Sequence, residues 1–250
     1  MIGLSACSYE DMAAKFIPEE ESKWAEEYIS KLRDRDFEYV KSKLSEELKP
    51  KVTDELLLNM VAHFRTGELV STNIIGSQVH VFNGVWQGNF TFELQFSDGW
   101  NLANAAFKKV NGEPEVIGIN VYRTEASQKE INAFTFSGKS AVHFVVLVLA
   151  IVVPVFILIT TIVCVRTPIQ KRKWLWIIFI LLGVSAIQLN WTTGQFGVQL
   201  IGVHLFGAAA TSAGPYAPWV LSASIPLGAI IFWFRRKKFI ALAEEANNGG

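Results

Sequence analysis

Four histidines offer the side chains best able to move a proton or hold a metal near neutral pH: His63, His80, His143 and His204. A metal site needs ligands brought together by helical or hairpin spacing, and no pair of these has it. There is no glycine-rich phosphate loop and no nucleophile elbow. The acid pairs Glu19/Glu21 and Glu46/Glu47 fall on expected solvent faces, and His63 reads as an ordinary core or surface residue of a helix. No metal, no cofactor and no catalytic residue is therefore expected. Three aromatic residues remain. Trp86, Trp100 and Tyr122 lie in strand-like sequence, and a curved sheet against helices can enclose a pocket that they would line. Filling a core is their plainer use.

The start of the chain carries a different chemistry. Leu4-Ser5-Ala6-Cys7 resembles a bacterial lipobox, in which small residues let a peptidase reach the bond before a lipidated cysteine. Cys7 is the expected lipid-attachment residue, and residues 1–14 read as a truncated signal and lipobox region. Only six residues precede Cys7, where a signal peptide needs a basic start and an apolar stretch. Cys164, in an apolar segment, reads as a small hydrophobe; with one cysteine in each environment no disulfide framework is expected. Asn89-Phe90-Thr91 and Asn190-Trp191-Thr192 match the glycosylation acceptor pattern. The lipobox-like start, which points to a bacterial chain, argues against their use.

Two unlike halves must position these residues. Met1 to Lys139 holds 21 acidic and 15 basic residues, whereas Ser140 to Ala243 has no Asp or Glu. The eight basic residues of the second stretch form two clusters, Arg166/Lys171/Arg172/Lys173 and Arg235/Arg236/Lys237/Lys238. The zero net charge sums two different objects. An acidic first half argues against nucleic acid as a partner, because backbone binding needs a basic surface.

Val142 to Val165 is almost unbroken apolar sequence, with 18 Val, Leu, Ile or Phe residues and no polar stripe. At roughly −0.3 to −0.6 kcal/mol each they favour insertion by about 5 to 11 kcal/mol as an upper figure. Pro154 is expected to bend this span. A second span is expected over 174–191, with Trp174, Trp176 and Trp191 as interfacial anchors, and a third over 216–234, where Pro226 bends the helix and Gly228 and Ala229 permit close approach. Residues 195–213 read as an interfacial or re-entrant segment, with a fourth span as the alternative; His204 is then an interfacial polar residue. Three spans put both basic clusters in the cytoplasm and the first half outside.

The first half reads as helices and then strands. Pro18 with Glu19, Glu20 and Glu21 starts one helix, on which Trp24, Tyr28, Ile29 and Leu32 form a stripe. A second helix carries Phe37, Val40 and Leu44, and Thr53 caps a third. Asn83-Gly84, Asp98-Gly99 and Asn111-Gly112 are hairpin-turn dipeptides, and Phe90, Phe92, Leu94 and Phe96 alternate with polar residues as one buried face.

Helices leading into the run Arg33–Val40, then a meander ending in Glu113-Pro-Glu-Val-Ile-Gly-Ile-Asn-Val-Tyr122, resemble the cystatin-like or nuclear-transport-factor-2-like roll, which recurs in bacterial extracytoplasmic proteins. The run Gly214–Phe232 resembles uncharacterised bacterial inner-membrane proteins. Such rolls include enzymes and non-catalytic binding modules, so fold does not choose between them.

The expected fold class is an α+β N-terminal domain, three helices then a four-stranded antiparallel meander, plus an all-α membrane domain of three transmembrane helices. The expected boundaries are a soluble roll over 15–125, a linker over 126–141, a membrane domain over 142–238 with spans 142–165, 174–191 and 216–234, and a cytoplasmic tail over 239–250. The expected function is a membrane-tethered extracytoplasmic binding or interaction module in the bacterial inner membrane. Its partners would be the lipid bilayer and a protein or small ligand. The alternatives are a subunit of a membrane complex or transporter, and an enzyme using the roll pocket.

Overall fold

The computed structural model describes residues 17–248, so Cys7 and the region 1–14 lie outside the described residues. Two units divide at Ile131/Asn132.

In the first unit, helix α1 (Glu19–Arg33) begins at Pro18 with three acids in its first turn, the end where the dipole favours negative charge. It buries Ala25, Tyr28, Ile29 and Leu32. Helix α2 (Phe37–Ser42) is capped by Asp36, whose side chain accepts from the Tyr39 N–H, and α3 (Asp54–Val61) by Thr53, which accepts from the Leu56 N–H at 3.2 Å. The strands β1 (Leu69–Phe82), β2 (Val85–Phe96), β3 (Gly99–Val110) and β4 (Glu113–Thr124) form an antiparallel sheet in sequence order. Asn83-Gly84 and Asn111-Gly112 take positive φ at both positions, the conformation that a two-residue hairpin turn requires.

The period of two decides what meets the helices. Phe90, Phe92, Leu94 and Phe96 of β2, and Ala103, Ala105 and Phe107 of β3, face Tyr28, Leu32, Val40 and Leu57 in one core. Burying side chains of this size stabilises by about 1.5–3 kcal/mol each. Tyr28 stays in that core because its hydroxyl donates to the Val40 carbonyl at 3.2 Å, and burial pushes its phenol above the usual range. The other sheet face is not wholly solvated: Glu93 is buried, and its carboxylate accepts from the Gln128 N–H at the start of the short helix α4 (Gln128–Ile131).

The second unit overturns the expected fold class. Among the described residues the chain has seven helices and two antiparallel sheets of four strands each. One helix, α5 (Ala141–Arg166), is long and apolar enough to cross a membrane. Among the described residues there is no three-span all-α membrane domain, and a multi-pass topology finds no support. The expected second span stops as helix α6 (Lys173–Leu181) and continues as β5 (Leu182–Asn190). Residues 195–213 contain β6 (Phe196–Leu205) and β7 (Ala208–Thr211). The expected third span divides into β8 (Val220–Ile225) and α7 (Leu227–Asn248), and this helix also takes up most of the expected tail.

The physical reason lies in the breakers. A run of apolar residues does not by itself distinguish a helix from a strand. Gly183 and Ser185 follow directly on α6, and Ser185 has a φ of 54. Pro226 bends no helix. It holds Ile225 extended, as a residue before proline prefers, and stands immediately before α7, where its missing N–H costs nothing.

The second sheet runs β6-β5-β8-β7. Its edge strand β6 is irregular. Val203 pairs with Val184 and Gln199 with Ala186, so Leu200, Ile201 and Gly202 bulge opposite the single residue Ser185. Beside the sheet, Val153, Ile157, Cys164, Ile180, Ala229 and Phe232 join α5, α6 and α7 in a small core. Gly228 makes that contact close: a Cβ there would stand 1.9 Å from the Phe179 carbonyl oxygen. The residues expected as a linker are divided. Gln128 belongs to the first unit through Glu93, whereas Phe134 stacks on Trp191 at 4.5 Å in the second.

Candidate membrane-contacting surface

The aromatic trio does not share a site. Trp86 lies on the helix-facing side of β2 and packs on Phe107 with ring centroids 5.5 Å apart. Trp100 and Tyr122 occupy the alternate positions of β3 and β4, on the other sheet face, with Tyr122 exposed. Trp100 pairs with Gln95, nine residues along β2 from Trp86, which is about 30 Å at roughly 3.3 Å per residue. The cavity between α1 and the β1–β2 hairpin, beside Glu26, Ser30 and Arg33, measures about 100 Å³. Pockets for small molecules run from about 300 to 1,000 Å³.

The histidines also stay apart, and no group of three His, Cys, Asp or Glu among the described residues can hold a metal. His63 Nδ1 lies 2.8 Å from the Asn59 carbonyl oxygen, and His80 Nε2 lies 3.1 Å from Gln87 Oε1. His204 sits on β6. His143, in the first turn of α5, is buried.

The second unit presents apolar side chains that nothing in it covers. In the most apolar window of α5 only 22% of residues are buried, whereas the core helix of a water-soluble protein would be mostly buried. Val145, Ile151, Val155, Ile159 and Ile162 are all exposed along one broad face, opposite the stripe of Val146, Val153, Ile157 and Cys164 that packs inside the unit. At about 1.5 Å per residue the 26 residues reach about 39 Å, longer than a hydrocarbon core of roughly 30 Å. The β6 bulge is apolar and uncovered as well: Leu200 is 79% and Ile201 92% exposed.

Charge is confined to one end of the helices. Helices α6 and α7 run antiparallel, with Gly228 against Phe179 and Phe239 against Trp176. Gln170 Nε2 donates to the Leu242 carbonyl at 3.2 Å, and Lys173 Nζ to the Val165 carbonyl at 3.1 Å. These contacts place both basic clusters at the end where α5 terminates. Trp174 is exposed there, as an interfacial anchor would be. Trp191 is not an anchor: it is buried, and its indole N–H donates to the Thr135 carbonyl at 2.8 Å.

The arrangement offers lipid an apolar helix, with basic residues at one end, and an exposed apolar bulge on β6. Length and hydropathy make α5 legible from sequence. The β6 contribution is not, because the bulge depends on pairing with β5. Compared with protein-family models, with curated proteins and with solved structures, the chain matches none.

Proposed function

We propose that the chain is a membrane-attached interaction module. The second unit seats in a bilayer through α5, and the first is an extramembranous α+β body that meets a protein partner or a small ligand. The observation that carries this reading is the broad apolar face that α5 leaves exposed. In water each uncovered side chain of this kind forgoes about 1.5–3 kcal/mol.

One crossing suffices. The apolar residues of α7, Leu227 to Phe234, and the nine residues of α6 each reach only about 12–14 Å, less than half the hydrocarbon thickness. On this reading the basic end faces the cytoplasm of a bacterial inner membrane, and the chain preceding α5 lies on the other side.

Alkaline carbonate extraction of membranes carrying the full chain tests the attachment. Retention in the pellet is expected; a monodisperse product in detergent-free buffer would sink the reading. Sidedness is read separately in a Cys7→Ser background, from labelling of Ser71→Cys and Gln170→Cys by an impermeant maleimide. Labelling of position 71 alone in intact cells is expected, and labelling of position 170 would reverse the orientation.

A further inference from the structure

The start of α5 opens into a recess of about 680 Å³ whose walls include Lys139, Ser140, His143, Thr192, Thr193 and Gly194. Its polar chemistry is one-sided. The Ser140 backbone N–H donates to His143 Nδ1 at 3.2 Å, and Ser140 Oγ lies 2.9 Å from the same nitrogen. A backbone N–H can only donate, so Nδ1 is the acceptor and the ring hydrogen sits on Nε2. His143 is 7% exposed, and its buried Nε2 has no hydrogen-bond partner among the described residues. A buried donor without an acceptor is costly, and few are left in native structures.

The backbone approaches that ring closely. Gly194 has a φ of +71, and a Cβ there would stand 3.0 Å from His143 Cε1 and 3.4 Å from Nε2. Thr192 supplies a second buried polar group with no partner, its Oγ1. The turn that carries it is firmly held: Asn190 Oδ1 accepts from the Thr192 and Thr193 N–H groups, each at 3.0 Å. That leaves the hydroxyl as the free function. Lys139 brings a cation, its Nζ 5.9 Å from the Trp191 ring centre. The positive end of a 26-residue helix adds to it. No Asp or Glu occurs between Ser140 and Ala243 to repel a negative ligand.

We infer that this recess binds a phosphate group. Its oxygens accept from His143 Nε2–H and from the Thr192 hydroxyl, and Lys139 with the helix start balances its charge. The same chemistry is presented by a phospholipid headgroup and by free phosphate. Only the lipid source rests on the membrane reading, since the donors are in place without a bilayer.

The test uses the full chain, delipidated in a maltoside detergent that contains no phosphorus. The probes are inorganic phosphate, phosphatidylglycerol, and diacylglycerol as the same lipid without phosphate. The ¹⁵N resonance of His143 Nε2 is followed. A shift with phosphatidylglycerol alone assigns the site to headgroups; a shift with inorganic phosphate, with or without the lipid, assigns it to the free anion as well. No shift with either, or an equal shift with diacylglycerol, overturns the inference. Lys139→Gln, a change on the partly exposed rim, is expected to weaken binding by about tenfold or more. Unchanged affinity in that variant also overturns it. Gly194→Val should abolish binding by crowding the His143 ring.

Discussion

Asn101, wholly buried on β3, donates from Nδ2 to the His63 carbonyl at 2.8 Å and so ties the sheet to the segment that ends α3. Its Oδ1 accepts from the Arg65 N–H at 2.8 Å, and Nδ2 also reaches the Tyr122 carbonyl at 3.0 Å. Arg123 reinforces the junction by donating to the carbonyls of Ala62, His63 and Phe64. Asn101→Ala would take the acceptor from the Arg65 N–H and a donor from each of the His63 and Tyr122 carbonyls, a loss on the order of 3 kcal/mol. Urea unfolding of the first unit within the full chain should show that loss, and exchange of the Arg65 amide should quicken. An unchanged midpoint would show that water replaces the amide.

Gly228 sets the approach of α7 to α6. Because an added Cβ would also stand 2.9 Å from the Ile180 nitrogen, backbone must yield. Gly228→Ala is expected to destabilise the helix packing by about 1–3 kcal/mol, with Gly228→Val worse. Thermal unfolding in detergent measures this, and an unaltered melting temperature would mean the helices part freely.

A charge at mid-helix tests whether α5 contacts lipid. Val152 is 53% exposed near the centre of the helix. Val152→Arg should weaken insertion by about 2.5–3.5 kcal/mol. The fraction released by carbonate should rise accordingly, whereas Gln87→Arg on β2 should leave it unchanged.

Acid should weaken the first unit through Glu21. Its carboxylate accepts from Lys109 Nζ at 2.6 Å, and this hydrogen bond holds it below the usual glutamate value of 4.5. A depressed folded-state pKa stabilises above the unfolded value and is lost as pH falls through the folded one. Stability should therefore decline as pH drops below about 4.5, and Lys109→Met should flatten that part of the profile. A profile identical in the variant would remove the pair from the account.

The legible parts of the fold were those written in local chemistry. Thr53 caps α3, the Asn-Gly pairs turn the hairpins, and alternation along β2 marks its buried face, each within a few residues of its cause. The second unit was misread because its decisive partners are distant. Leu182–Asn190 continues the apolar run of α6, and its strand state depends on β6 and β8, which follow it in the chain. The recess escaped notice for a related reason. Thr192 and Gly194 come to His143 only through the fold.

The interruption of β6 bears on what its open edge can template. A smooth apolar edge strand would offer an incoming extended segment a continuous template, the first step toward a fibril. Here the ladder is regular from Phe196 to Gln199 and again from Val203 to Leu205, and the three residues between leave the line. Ser185 Oγ occupies the Leu200 carbonyl at 2.7 Å, and Gln199 Nε2 the Ile201 carbonyl at 3.2 Å. Neither intact stretch is long enough to seed stacking, so this greasy margin can stay uncapped without recruiting further copies strand by strand.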